Sequence, residues 1–156
     1  MAREHSFGIT LSNNRTENVG LQHLLDSEPE WFVPDSKSRR SILDSLGLEK
    51  RYSRAFDLVW VKGRKRTDDE ASMTVSPDNI TLIELKTTRK RLPDNPRGFF
   101  FGATDNEFQL AEKLGDAFRF CFVCLHPETR SHKLVSYRDL QNLIKVKRIQ
   151  YQINLR

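Results

Sequence analysis

A chain of 156 residues with 37% hydrophobic residues can bury one core without disulfide or metal staples, and it reads as one domain. The N-terminal run Met1-Ala-Arg-Glu-His-Ser-Phe-Gly lacks the apolar stretch of a secretory signal, and no apolar run approaches the ~20 residues that span a bilayer, so a cytoplasmic protein is expected. The formal net charge of +5 suits a surface for polyanions, although a solvated face explains it equally well.

Along the chain, Val19, Leu21, Leu24 and Leu25 recur at helical spacing and predict a short helix over residues 14–25, closed before Pro29. A second helix is expected over 38–46, stopped at Gly47. Residues 54–61 (RAFDLVWV) are aromatic and β-branched, which predicts a strand. Residues 62–79 are polar and of mixed charge, with Gly63 and Pro77, and read as a long exposed hairpin loop. A second strand is predicted over 80–87 (ITLIELKT), followed by a basic connection over 89–98 and a short third strand over 99–103.

Residues 105–115 then predict a helix with Phe108, Ala111 and Leu114 on one side and Asp105 or Asn106 as its cap. A fourth strand follows over 118–125, a helix over 137–145, and an alternating edge strand over 148–155 (RIQYQINL). The order two helices, three strands, helix, strand, helix, strand implies an α/β sandwich with a mixed sheet of about four to five strands flanked by helices.

Cys121 and Cys124 have the CxxC spacing, but a zinc site needs about four ligands and no second cysteine pair exists. Their apolar surroundings predict a buried strand in which the two thiols point to opposite faces, as suits a reducing compartment. His5, His23, His126 and His132 are scattered and read as ordinary surface histidines, and Trp31 and Trp60 as core rather than base-stacking residues.

The chemistry rests on charges placed where charge is expensive. Asp57 sits between Phe56 and Leu58, and Glu84 and Lys86 end the apolar run that begins at Ile80. A carboxylate in such a strand costs several kcal/mol unless it is paired or coordinates a cation. Strand alternation puts Glu84 and Lys86 on one face, and pairing of the two strands brings Asp57 to them. Two carboxylates suit Mg²⁺, a hard cation, with Mn²⁺ as a substitute. The carbonyl of Leu85 is a further oxygen donor, and an ammonium beside the site can steady charge on a phosphate. The plainer alternative is a solvated Glu84–Lys86 pair with Asp57 bound to an arginine such as Arg54.

Asp57 followed by Glu84-Leu85-Lys86 at the end of the next apolar strand resembles the D…(D/E)xK signature of the PD-(D/E)xK restriction-endonuclease-like nucleases. Residues 99–125 are similar to the strand, helix and returning strand of Mrr-like members, with Asn106-Glu107 at the helix start. The resemblance implies a restriction-endonuclease-like core and Mg²⁺-dependent hydrolysis of phosphodiester bonds in DNA. It also implies metal binding by Asp57 and Glu84, a lysine that assists the attacking water, and a further metal-site glutamate at Glu17. Phe56 stands where the family name has proline, and residues 62–79 must be an insertion. Glu107 or Gln109 stands to orient water or substrate.

Arg89, Lys90, Arg91 and Arg97 leave the site and are expected to meet the phosphate backbone, as are Lys65 and Arg66, partly offset by Asp68, Asp69 and Glu70. Cutting both strands of a duplex calls for a homodimer or a second nuclease subunit. A structure-selective or transposition-related nuclease, and a non-catalytic nucleic-acid-binding module of the same fold, are the alternatives.

Overall fold

The apolar run that begins at Ile80 becomes the axis of the molecule. The computed structural model describes residues 2–66, 68 and 75–156, with the side chains of the first helix described from Arg15 onward. Among the described residues the strands form one mixed sheet of five, in the order β1 (Trp31–Phe32), β2 (Leu58–Val61), β3 (Ile80–Thr88), β4 (Phe118–Cys124) and β5 (Ser131–Val135). Only β3 and β4 run parallel. A parallel pair needs a crossover, and α3 (Asp105–Leu114) lies in that connection. The other α-helices are α1 (Ala2–Ser27), α2 (Ser36–Ser45) and α4 (Tyr137–Leu143). No helix among the described residues is long and apolar enough to cross a membrane.

Alternation along β3 divides the core in two. Ile80 and Leu82 join Phe118, Phe120 and Phe122 of β4 in a cluster covered by Ile42 and Leu43 of α2, Leu110 and Ala111 of α3, and Leu140 of α4. Ile83 and Leu85 face the other way, toward Leu24 of α1, Trp31, Leu58, Cys121 and Val123. Each such side chain, fully buried, contributes roughly 1.5–3 kcal/mol. α1 packs close to β3 because Gly20 has no side chain: a Cβ there would lie 2.3 Å from Thr87 Cγ2. Both thiols are free and buried, and burial, with Glu28 nearby, pushes Cys121 up to about 12.

Several elements differ from the sequence expectation. α1 begins at Ala2, well before residue 14, because apolar spacing marks only the part of a helix that needs a packing face. The strand expected over 54–61 starts only at Leu58. Upstream, a 3-10 turn (Lys50–Tyr52) and the Arg39 guanidinium, which takes the carbonyl oxygens of Ser53 (3.0 Å), Phe56 and Asp57 (3.4 Å), hold the chain out of the ladder. Residues 99–103 form no strand: Phe99 and Phe101 lie edge-on against Phe122, with ring centroids 4.9 and 5.0 Å away, so their aromatic character serves packing over the sheet.

The cap of α3 is Thr104, not Asp105 or Asn106; Asn106 donates instead to the Arg51 carbonyl. β1 and β5 are additional strands, and residues 148–155 lie outside the sheet with Ile149, Tyr151, Ile153 and Leu155 exposed. The hairpin between β2 and β3 is closed by Lys62 N donating to Asn79 O at 2.9 Å; residues 67 and 69–74 of that loop, Asp69 and Glu70 included, are outside the described residues.

Two histidines also depart from expectation. His23 Nε2 and His132 Nδ1 are 3.1 Å apart, and His132 Nε2 is 3.1 Å from Glu28 Oε1, so this chain of contacts ties α1 to β5. His126 is a turn residue whose Nδ1 accepts from Glu128 N, and the side chain of His5 is outside the described residues. Trp31 is buried and Trp60 is half-buried against the same cluster, donating through Nε1 to Glu30.

Candidate active site

The site forms where β2 leaves β3. The last paired residues are Leu58 and Ile83, and Asp57 N still donates to Ile83 O at 2.8 Å. One step further, Asp57 turns its side chain onto the freed edge, and Oδ2 accepts from Leu85 N at 2.8 Å. A carboxylate thus takes the place of a ladder partner, which pins Asp57 to the end of β3. The carbonyl of Leu85 emerges on the same strand edge as its N–H.

Glu84 and Lys86 occupy the other register of β3, on the face shared with Ile80 and Leu82. Lys86 Nζ lies 3.5 Å from Glu84 Oε1 and 2.5 Å from Glu107 Oε1. Glu107 is in turn fixed by a capping box at the start of α3. Its Oε2 accepts from Thr104 N (2.9 Å) and Thr104 Oγ1 (2.6 Å), while Glu107 N donates to Thr104 Oγ1 (3.2 Å). Helix α3 therefore holds one carboxylate rigidly against the lysine.

The protonation pattern follows from burial and charge. Glu84 is pushed up to about 10, first by burial and then by the facing carboxylate of Asp57. Its Oε2 atom is buried and receives no hydrogen bond. Burial would also raise Glu107, but the Lys86 ammonium and the bonds from Lys86 and Thr104 outweigh it and hold the carboxyl below its ordinary value. Burial likewise works against the charge on Lys86, and the surrounding carboxylates more than offset it, raising its pKa. Of the two carboxyl contacts of Lys86, the shorter is to Glu107.

Glu17 of α1 is at the rim, exposed, with its pKa raised by partial burial and then by Asp57, while Lys86 opposes. α1 starts well before Glu17, so this carboxylate lies inside the helix and not in its first turn.

Asp57, Glu84, Lys86 and Glu107 thus come together, with Glu17 beside them. The donors fit a hard cation: a buried carboxylate oxygen without a hydrogen-bond donor, a second carboxylate facing it, and the strand-edge carbonyl of Leu85. No cage of three or more His, Cys, Asp or Glu side chains is present among the described residues.

The expected backbone-binding cations are largely engaged within the chain. Arg66, although exposed, donates to the carbonyls of Trp31 (2.8 Å), Leu25 (2.8 Å) and Glu28 (3.0 Å), and so closes the end of α1. Arg91 pairs with Glu128 (2.9 Å) and Arg97 with Asp94 (3.3 Å). Arg89 Nε donates to Thr16 Oγ1 at 3.0 Å, next to Glu17, and Lys65 and Lys90 are exposed. Arg54 is exposed and Asp57 bonds the backbone of Leu85, so the expected alternative of an Arg54–Asp57 pair does not form. Gln109 bonds Tyr52 (3.1 Å) and Asp105 (2.7 Å), which leaves Glu107 as the site residue of α3. Arg39 was not singled out from the sequence, where it reads as part of the charged start of a helix.

No protein-family model, curated protein or solved structure matches this chain.

Proposed function

We propose that this chain is a divalent-metal-dependent phosphodiesterase acting on nucleic acid, with DNA as the substrate, on a restriction-endonuclease-like version of the α/β sheet. The observation that carries the reading is Glu84: a carboxyl only 8% exposed, with one buried oxygen that no N–H or hydroxyl donor reaches, facing the Asp57 carboxylate and flanked by Lys86. Burying such a group without compensation costs several kcal/mol, and a cation between the two carboxylates offsets that cost. Asp57, Glu84 and the Leu85 carbonyl would hold Mg²⁺ or Mn²⁺, with Glu17 as a further carboxylate at the rim. When bound, the metal supplies Lewis acidity toward a phosphate oxygen and acidifies water.

The chain's own contribution is positional. Lys86, held charged by Glu107, balances charge developing on phosphate oxygens and orients the attacking water. One such site cuts one strand, so on a duplex the active species is a homodimer or a complex with a second nuclease subunit. Incubation with plasmid, linear and branched DNA, with Mg²⁺ or with EDTA, tests the reading. Cleavage that needs the metal is expected, and failure of the folded chain to cut any of these with Mg²⁺ or Mn²⁺ would overturn it.

A further inference from the structure

A cleft of about 410 Å³ opens beside Asp57, lined by Ser36, Arg39, Arg40, Ser53, Arg54 and the Phe56–Asp57 turn. Three guanidiniums and one carboxylate line it. None of the three arginines forms an ion pair with a carboxylate among the described residues. Arg39 is the wall: it donates to the carbonyls of Pro34 (3.2 Å), Ser53 (3.0 Å), Phe56 and Asp57 (3.4 Å), so hydrogen bonds fix its position, while Asp57 and Glu84 act on its charge only across space. Arg40 donates to the Ser36 carbonyl at 3.4 Å, and both Arg40 and Arg54 are exposed.

Ser36 opens the ten-residue helix α2, whose N-terminal end favours an anion. The carboxylates opposing one are Asp57 in the wall and Asp35, which is occupied in capping Ser38 N at 2.7 Å. This side of the molecule contrasts with the basic run after Lys86, where Arg91 and Arg97 are already paired.

We propose that this cleft binds a backbone phosphate of the substrate strand, next to the phosphate held at Asp57 and Glu84. The inference rests on the nucleic-acid reading of the site and adds to it the path of the strand. Asp57 lines both places, so a strand with one phosphate at the carboxylate pair passes its neighbour along α2. Arginine suits the task because its planar fork meets two phosphate oxygens at once. The backbone then runs over Arg40 and Arg54, not over residues 89–97.

The test is fluorescence anisotropy of the full chain with labelled single-stranded and duplex oligonucleotides, in Ca²⁺ and over a salt series. The Arg40→Ala/Arg54→Ala variant, whose two side chains are exposed, should bind about tenfold or more weakly. Its log–log salt slope should be shallower by about one to two, at roughly 0.9 for each phosphate no longer neutralised. Arg91→Ala/Arg97→Ala should change the slope less, and the gentler Arg40→Gln and Arg54→Gln variants report the same order if the double variant folds poorly. A parent-like affinity and slope in Arg40→Ala/Arg54→Ala, in a parent chain that does bind, overturns the cleft alone. A parent chain that binds neither oligonucleotide overturns the nucleic-acid reading beneath it.

Discussion

On one face of the sheet, His23, His132 and Glu28 form a chain of part-buried polar contacts in which each member has its partner, at 3.1 Å in both links. On the other face, Asp57, Glu84, Lys86 and Glu107 come together, yet Glu84 keeps a buried oxygen that no N–H or hydroxyl donor reaches, facing a second carboxylate, and a pKa driven to about 10. The two clusters differ in what burial has left uncompensated. A satisfied cluster locks α1 to β5 and asks for nothing further. An unsatisfied one is unfavourable in the isolated chain, and such costs persist where a ligand relieves them.

The largest expected effect comes from breaking the unsatisfied cluster. Asp57→Ala, Glu84→Ala and Lys86→Ala should each lower cleavage by several orders of magnitude while circular dichroism and sizing stay parent-like. Combining them should add little, since groups that act as a unit lose their function together. His132→Ala, in the satisfied cluster, should do the reverse: cost about 0.5–1.5 kcal/mol of stability through the lost contacts to Glu28 and His23, and leave cleavage rates intact. Denaturant melts and plasmid assays on the same preparations decide between these outcomes.

The two clusters should also respond to pH with opposite sign. Glu84 has a folded pKa raised above its ordinary value near 4.5, so its contribution to stability is fully present below about pH 4.5 and is lost as pH rises toward 10. Glu84→Gln should therefore melt at least a few degrees higher than the parent in alkaline buffer without metal. His23 is lowered, first by burial and then by His132 and Arg130, so its contribution is present above about pH 6.5 and is lost as pH falls. Melting curves across pH that show one slope in both regions would erase the distinction.

Smaller effects sharpen the picture of the lysine. Glu107→Gln removes the close partner of Lys86 and should reduce cleavage roughly ten- to a hundredfold. Because Glu107 helps raise the Lys86 pKa, the alkaline limb of the pH–rate profile should move to lower pH. A purely structural role for Glu107 would change the melting temperature and leave that limb in place. Smallest is Glu17→Gln at the exposed rim: a higher Mg²⁺ requirement with little change in melting temperature, read from rate against Mg²⁺.

Asp57, Glu84 and Lys86 were legible in the sequence because charge inside an apolar strand is costly and therefore conspicuous, and strand alternation alone puts Glu84 and Lys86 on one face. Glu107 was only half legible. Its place at a helix start near the site could be read, but its contact with Lys86 depends on the crossover that lays α3 on the sheet. Arg39 was not legible, since its role comes from reaching carbonyls up to 18 residues away in sequence. β1 and β5 escaped because two residues, and five that include Ser131, His132 and Lys133, carry too little apolar signal without the neighbours that pair with them. Residues 148–155 misled for the converse reason: alternation marks a capacity to pair, and here the sheet is made of other strands.

The most direct test is a calorimetric titration of Mn²⁺ or Mg²⁺ into the full chain, repeated with Glu84→Gln and Asp57→Asn. If the pair of carboxylates is a cation site, the parent gives saturable binding and both isosteric variants lose it while remaining folded. An identical isotherm in all three, or no binding by the parent at any concentration that supports cleavage, would contradict the assignment.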